Sequence, residues 1–316
     1  MDDQTITANN GKFEDPHLTA EGAARAKVAF THPETLWFNT GTLCNIKCVN
    51  CYIDSSPIND ALVYINADEV SNYLDQLITY KWQIREIAFT GGEPFMNPAM
   101  IEIAQRSLAA GYEVLILTNA MSPMMRKQMR QGLLELNAAY PEKLTLRISL
   151  DHFDQINHEI ERGAGSFQKT LEGMNWLRDS GIRMTVAGRT VWGETDRQSR
   201  SGYSTLFEQQ RYDIDAFNHC STVLFPELDE TVEVPEITTS CWKILKKNPD
   251  SLMCASSRMV VKRKGAEKPT VVACTLLPYA PEFELGHSLK SAAKDIALNH
   301  PHCSKFCVMG GASCSS

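Results

Sequence analysis

Apolar positions along the chain recur with two different periods. Short runs rich in β-branched and aromatic residues read as strands: Thr35–Thr40, Ile84–Thr90, Tyr112–Leu117, Leu144–Leu150, Ile182–Thr190 and Ser221–Phe225. Between them, apolar residues return every three or four positions over Ala67–Lys81, Pro98–Ala110, Met124–Leu136, Ser166–Ser180 and Gly202–Gln210, which predicts helices. Strands alternating with helices build βαβ units and a parallel sheet. Six such strands predict an α/β fold, a partial (β/α)6 TIM-like barrel, with reactive groups at the C-terminal ends of the strands.

Outside this core the pattern changes. Residues 1–34 are polar and weakly patterned, which suggests an N-terminal arm lying over the core. Near Pro226 the rhythm stops, and Pro226, Pro235 and Pro249 punctuate an acidic stretch. Further on, the runs 257–262 and 269–274 flank a turn at Lys264-Gly265 and predict a β-hairpin. The expected organisation is an arm over 1–34, a barrel over 35–235 and a small Cys-rich C-terminal domain containing the hairpin over 236–316.

Composition narrows the function classes. With 316 residues, 43% hydrophobic and 22% charged, the chain can bury a large core and has an ordinary globular balance. A net charge of −7 argues against a nucleic-acid-binding surface, which needs a basic patch. No apolar run approaches the roughly 20 residues of a membrane span, and the acidic, polar start Met1-Asp2-Asp3-Gln4 is unlike a signal peptide. The ten cysteines, without such a signal, point to the reducing cytoplasm and to metal ligation rather than disulfides.

Three of those cysteines fall within one short loop, Cys44-Asn-Ile-Lys-Cys48-Val-Asn-Cys51, just after the first strand. Three thiolates at this spacing suit three corners of a cubane iron–sulfur cluster and leave the fourth iron open. Zinc sites usually come as CxxC pairs supplying four ligands, so zinc, like a redox disulfide, fits the unequal triplet poorly. At the end of the second strand lies Phe89-Thr90-Gly91-Gly92-Glu93-Pro94. Two glycines allow close approach of backbone to a ligand, and Glu93 is suited to accept a hydrogen bond from an ammonium, although a plain turn is also open. Cys254 and Cys274 bracket the hairpin, and Cys303, Cys307 and Cys314 follow, enough for a tetrahedral set. Cys220 and Cys241 are expected to be buried apolar thiols. The histidines show no metal-ligand spacing, and Met121, Met124, Met125 and Met129 are expected to pack in the core.

The triplet after the first barrel strand, with Gly-Gly-Glu-Pro after the second, resembles the radical S-adenosylmethionine (SAM) enzymes. One departure is Asn50, where that family often has an aromatic residue; Tyr52 follows instead. The resemblance implies a [4Fe-4S] cluster on Cys44, Cys48 and Cys51 whose open iron chelates the amino and carboxylate groups of SAM, with Gly91, Gly92, Glu93 and Pro94 at the SAM amino group. Thr118-Asn119 stands where relatives often carry Thr-Asn-Gly, with Ala120 replacing the Gly. Ser149-Leu150-Asp151 resembles the family's Ser-x-Asp near the SAM ribose and carboxylate. Arg162 opens a stretch similar to the Arg-Gly-x-Gly-Ser-Phe run of maturase-type members, suited to fork onto the SAM carboxylate, and Arg189 is a further candidate for SAM or an anionic substrate. The alternatives at these positions are strand-end polar residues, an N-cap at Ser166 and a salt bridge at Arg189.

The C-terminal cysteines resemble the SPASM or twitch extension of the same superfamily. This implies one auxiliary [4Fe-4S] cluster, with Cys254, Cys274, Cys303 and Cys307 as preferred ligands and Cys314 able to replace one of them; a zinc ribbon stays open. The implied reaction is reductive cleavage of SAM to methionine and a 5′-deoxyadenosyl radical, which takes hydrogen from a peptide or small metabolite in a net oxidation. An external one-electron reductant such as flavodoxin or ferredoxin is implied, and neither nucleic acid nor membrane. The 34 or so residues before the first strand are short for a winged-helix leader-binding domain, which weakens a leader-dependent peptide substrate. An iron–sulfur electron carrier or a zinc-ribbon module without substrate chemistry are the competing readings, and the open three-Cys site speaks against the carrier.

Overall fold

In a computed structural model of the protein, residues 11–226 and 233–310 are described. Six parallel strands form in the predicted places: β1 (Thr35–Asn39), β2 (Glu86–Thr90), β3 (Glu113–Thr118), β4 (Leu144–Ser149), β5 (Arg183–Arg189) and β6 (Thr222–Phe225). Helices α1 (Ala67–Tyr80), α2 (Met100–Ala109), α3 (Lys127–Ala139), α4 (Gln155–Arg162), α5 (Ser166–Asp179) and α6 (Asp196–Gln210) lie between them. The C-terminal segment adds β7 (Ser257–Val261), β8 (Thr270–Val272) and β9 (Glu284–Gly286).

All nine strands belong to one sheet, in the order β9-β8-β7-β1-β2-β3-β4-β5-β6. The expected hairpin is present as β7 and β8, and β7 lies parallel to β1, with Thr35 opposite Ser257 and Phe38 opposite Val260. This register has a consequence for the cysteines. Cys254 precedes β7 in the helical turn Met253–Ser256, so it sits near the N-terminal end of β1. Backbone bonds from Thr31 and Glu34 to the carbonyls of Ala255 and Ser256 fix it there. Cys44 lies beyond the other end of β1, whose five residues span about 17 Å at strand rise.

Local chemistry explains the helix ends. Asn66 and Glu69 form a capping box at α1, and Thr195 with Gln198 does the same at α6, which therefore starts earlier than the predicted Gly202. Helix α3 starts at Lys127 rather than Met124; Met121, Met124 and Met129 are buried in the core as expected. Ser166 is not an N-cap: Gly165 takes that position, and the Ser166 hydroxyl is buried without a partner.

The pattern of apolar residues missed α4. Asp154 caps it by accepting from the amides of Ile156 and Asn157, and it buries His158 and Glu161 while Ile156 and Ile160 are 71% and 58% exposed. Its inward face is thus the polar one. The main core lies between the sheet and its helices and includes Leu36, Phe38, Val70, Phe89, Ile103 and Ile116. A second cluster on the other face joins Trp37, Ala88, Leu115, Met259 and Val272. Among the described residues no helix is long and apolar enough to cross a membrane.

Candidate active site

The loop bearing Cys44, Cys48 and Cys51 leaves β1 and is fastened on three sides. The amide of Cys44 donates to the Ser56 carbonyl at 3.0 Å. The amide of Val49 donates to the Glu161 carbonyl at 2.9 Å, and Asn50 Nδ2 donates to Glu161 Oε1 at 2.6 Å, so the polar face of α4 grips the loop. From β5, Arg189 Nη2 donates to the Asn50 carbonyl at 2.7 Å. From the C-terminal segment, Tyr279 Oη donates to the Ile53 carbonyl at 2.8 Å. The Cys51 sulfur accepts from the Ser55 amide at 3.3 Å.

The Gly91-Gly92-Glu93-Pro94 turn packs backbone to backbone against the stem of this loop. Gly92 N donates to the Gly41 carbonyl at 2.8 Å, and Glu93 N to that of Leu43 at 3.1 Å. A Cβ on Gly91, whose φ is +145°, would stand 2.6 Å from the Gly41 oxygen, and one on Gly92 2.2 Å from the Leu43 oxygen. Both glycines are therefore required by the close approach of two main chains.

Glu93 is buried and its carboxylate is used by the protein. Oε1 accepts from the Phe95 amide at 3.1 Å and from Thr118 Oγ1 at 2.8 Å, and Oε2 accepts from the Asn119 amide at 2.9 Å. It ties the end of β2 to the end of β3. Burial pushes its pKa up to about 7 against these hydrogen bonds. Pro94 opens a short 3-10 turn to Met96. Asn119 Nδ2 donates to Asn45 Oδ1 at 2.9 Å and lies 3.9 Å from the Cys44 sulfur. Ala120 adopts a left-handed φ of 58°, which accounts for glycine suiting this position.

Asp151, after β4, is the hub of a buried charge network. Arg162 grips it with both arms, Nε to Oδ2 at 2.7 Å and Nη2 to Oδ1 at 3.1 Å. The Arg189 amide donates to the Asp151 carbonyl at 2.9 Å, and Arg189 Nε lies 3.6 Å from Oδ1. Burial alone would raise the Asp151 carboxyl, but the two guanidiniums outweigh it and hold it below its ordinary value. Arg162 thus forks onto Asp151, and Arg189 forms a salt bridge while reaching the cysteine loop.

These residues surround two cavities. The first, of about 90 Å³, is lined by Cys44, Cys48, Cys51, Gly91, Gly92 and Asn119 among others. The second, also about 90 Å³, includes Trp37, Leu117, Phe225, Leu276 and Phe306 in its wall. They share Tyr52, Thr90, Leu117, Ser149, Arg162 and Arg189. Among the described residues, no three His, Cys, Asp or Glu side chains are gathered tightly enough to hold a single ion. The three thiols line a space instead of meeting at a point, the arrangement a polynuclear cluster needs. Burial pushes Cys44 up to about 12 and raises Cys48 as well, so a positively charged metal group is what would make them thiolates. Arg189 Nη1 and Ser55 Oγ, both on residues that line the first cavity, are buried polar atoms without protein partners. Soft donors, unfilled space and orphaned polar atoms together fit a cubane cluster with one corner left for a ligand.

Cys254, Cys274 and Cys303 lie within electrostatic reach of one another at the opposite end of β1. Cys254 and Cys303 are buried, and burial, then the neighbouring Cys274 and Cys254, push Cys303 well above an ordinary thiol. Cys274 follows β8, and Cys303 and Cys307 lie on the π-helical segment Cys303–Met309. Cys314 lies outside the described residues. The expectation of buried apolar thiols fails at Cys220, which is exposed in a turn whose amide is held by Asn218 Oδ1; Cys241 is partly buried.

The family model of the Radical SAM superfamily matches residues 38–199, about half of the chain. The chain belongs to the radical SAM superfamily. It is similar to the antilisterial bacteriocin subtilosin biosynthesis protein AlbA of Bacillus subtilis, at 35% identity over 50% of this chain and 33% of that protein. It is also similar to the Fe-coproporphyrin III synthase of Methanosarcina barkeri, at 27% identity over 48% of this chain and 35% of that one. The match thus spans about a third of the length of these curated relatives. Among solved structures, Streptococcus suis SuiB bound to S-adenosylmethionine aligns with a TM-score of 0.59 at 11% identity, covering 81% of this chain and 63% of that one. The structure of anSMEcpe with bound AdoMet aligns at 0.57 with 15% identity, covering 82% and 77%. These likenesses show the fold, the parallel-sheet architecture expected of a partial barrel. Membership of the superfamily implies a [4Fe-4S] cluster and SAM as cofactors.

Of the expected site residues, the cysteine triplet, Gly91, Gly92, Asn119, Ser149, Arg162 and Arg189 line one cavity, Asp151 lines the adjoining one, and Glu93 and Pro94 are buried outside both linings. The grip of Glu161 and Asn50 was not foreseen. Its only trace in the sequence is an amide side chain between two of the three cysteines.

Proposed function

We propose that this radical SAM enzyme abstracts hydrogen from an apolar group of a peptide or small metabolite, in a net oxidation assisted by an auxiliary [4Fe-4S] cluster on the C-terminal cysteines. The observation that carries this reading is the continuity of the thiol-lined cavity with an apolar chamber walled by Trp37, Leu117, Phe225, Leu276 and Phe306. When bound, the cluster and SAM supply one-electron cleavage of the sulfonium and hydrogen-atom abstraction.

The chain's own residues supply the holding and the exclusion. Cys44, Cys48 and Cys51 hold the cluster, and Glu161, Asn50 and Arg189 keep their loop in place. Glu93 fixes the glycine turn so that its backbone faces the ligand. Phe225 and Phe306, stacked at 5.6 Å, form a wall that keeps water from the chamber. The guanidiniums lining the chamber are largely engaged: Arg162 and Arg189 with Asp151, leaving Arg189 Nη1 as an open donor, and Arg147 with Thr185 Oγ1 and the Cys220 carbonyl. That favours an uncharged reacting group over a polyphosphate. A peptide substrate is further favoured by relatives: one is named for bacteriocin biosynthesis, and a SuiB structure is described as bound to precursor peptide SuiA.

On this reading, 35–235 is the catalytic barrel, 236–316 carries the auxiliary cluster, and 1–34 is an arm. A flavodoxin- or ferredoxin-type protein of the cytoplasm supplies the electron. The test is anaerobic reconstitution with iron and sulfide, followed by SAM and a strong reductant. Formation of 5′-deoxyadenosine that is lost in a Cys44/Cys48/Cys51→Ala variant is expected. Tight iron without SAM cleavage would make the protein an electron carrier, and zinc without iron a binding module; either result overturns the proposal. Addition of candidate peptides should then raise 5′-deoxyadenosine formation, whereas a response to GTP alone would overturn the substrate class.

A further inference from the structure

At the end of the sheet away from the Cys44–Cys51 loop lies a cation that the reaction described so far does not use. Arg258, the second residue of β7, is fully buried. Its donors all end on backbone carbonyls: Nε on Ala292 at 3.0 Å, Nη1 on Cys254 at 2.6 Å and Ser257 at 2.7 Å, and Nη2 on Lys294 at 2.9 Å. The Phe30 ring covers it, with its centroid 4.0 Å from the guanidinium carbon.

Several arginines in or near the core sit against carboxylates: the buried Arg25 on Glu236, Arg189 on Asp151 and Arg200 on Asp196, and the partly buried Arg162 on Asp151. Arg258 has no such partner among the described residues, and the carboxylate nearest in influence, Asp295, is exposed. Neutral carbonyls satisfy its hydrogen bonds but leave its charge uncompensated, which is costly in a buried site. The remaining groups acting on it are the thiols of Cys254 and Cys274, and those two also act on Cys303. A cation fixed beside the sulfurs of Cys254 and Cys274 gains a compensating charge when they become thiolates around a metal group of net negative charge. Arg258 also clasps the ligand loop, through the Cys254 and Ser257 carbonyls.

We propose that Arg258 is the built-in counter-cation of an anionic iron–sulfur cluster held by Cys254, Cys274 and Cys303, and that its charge raises the reduction potential of that cluster. The inference rests on the auxiliary-cluster reading above. The electrostatic argument is general. Reduction adds negative charge to the cluster, and a fixed positive charge at close range in a poorly screened site stabilises the reduced form more than the oxidised one. Because guanidinium stays protonated, the effect is constant over the working pH range.

The test uses the full chain carrying Cys44/Cys48/Cys51→Ala, so that the only cluster signal is the C-terminal one. It is reconstituted anaerobically and titrated potentiometrically with EPR detection, with iron and sulfide counted in parallel. Arg258→Met, which removes the charge, is expected to lower the midpoint potential. Arg258→Lys, which keeps the charge and loses the fork, is expected to hold its iron and stay close to the parent potential. An unchanged midpoint in a folded, iron-loaded Arg258→Met protein would overturn the proposal. If Arg258→Met fails to fold or to hold iron, Arg258→Lys decides. Parent-like iron content and midpoint sustain the charge role, whereas loss of iron in Arg258→Lys with native circular dichroism shows that only the carbonyl clasp matters. Failure of the underlying reading looks different: the parent itself then takes up zinc or no metal, or keeps its iron when Cys254 and Cys303 are also replaced by Ala.

Discussion

The turn after β2 and the stem of the cysteine loop approach too closely for a side chain, and Gly92→Ala tests whether the site depends on that approach. A Cβ at Gly92 would stand 2.2 Å from the Leu43 oxygen and 2.6 Å from its carbonyl carbon, both backbone atoms that no rotamer change can move. Gly92 has no left-handed φ, so the whole effect is steric. Overpacking costs roughly 1–3 kcal/mol. Relief by separating the chains also sacrifices the Glu93 N–Leu43 O bond, at 3.1 Å, worth about 1 kcal/mol. The expected loss is therefore about 2–4 kcal/mol. Urea unfolding of the metal-free protein measures it, with iron content and SAM binding after reconstitution as functional readouts. Gly163→Ala is the control. Its Cβ meets nothing within 4 Å, so the cost of its backbone alone, φ +91° and ψ 156°, is expected, about 1–3 kcal/mol, with iron uptake intact. A Gly92→Ala protein as stable as Gly163→Ala, with full iron and SAM binding, would refute the argument that contact of the two main chains shapes the site.

Asp151→Asn leaves Arg162 and Arg189 buried beside a neutral amide; a loss of about 3–5 kcal/mol is expected by urea unfolding, and a loss below 1 kcal/mol would show that the network is dispensable. Asn50→Ala removes the 2.6 Å bond to Glu161 and is expected to cost about 1.5–3 kcal/mol and to lower the iron retained by the triplet. A double-mutant cycle with Glu161→Gln should show strong coupling, and additive losses would mean that the two residues act separately.

The parts of the site that were legible in the sequence are those with fixed spacing and one chemical meaning. The cysteine triplet and Gly91-Gly92-Glu93-Pro94 sit at strand ends that alternating hydrophobicity located well. Helix α4 was not legible because its polarity is inverted, with His158 and Glu161 inside and two isoleucines outside. The pairing of β7 with β1 leaves no local trace, since parallel strands far apart in sequence share only a register. The same holds for Arg258. Nothing in Ser257-Arg-Met-Val-Val261 shows that the Phe30 ring and the carbonyls of Ala292 and Lys294, all distant in sequence, close over its side chain. Glu93 was singled out for contact with a ligand; its three hydrogen bonds go instead to the protein's own Phe95, Thr118 and Asn119.

Two buried titratable groups lend the metal-free protein opposing pH dependences. Burial pushes Glu93 up to about 7 from an ordinary 4.5, so between those values the folded state keeps a proton that the unfolded chain has lost. Stability from this group is present at low pH and falls as pH rises, by about 3 kcal/mol over the interval. His158 does the reverse. Burial first, then the neighbouring Arg162, lower it to about 4 from 6.5, and both of its ring nitrogens lack partners. In that range the unfolded chain holds the proton, so its contribution is present at high pH and is lost on acidification, again by about 3 kcal/mol. Between roughly pH 4.5 and 6.5 the two slopes cancel in the parent protein. Glu93→Gln removes one of them. The stability difference between parent and Glu93→Gln should therefore change by about 3 kcal/mol from pH 4.5 to 7, in favour of the parent at low pH. The constant cost of setting an amide N–H against the Asn119 amide drops out of that change. Urea midpoints measured across this range decide it: parallel curves would mean that Glu93 enters the folded protein already ionised, held by its three donors rather than neutralised by burial.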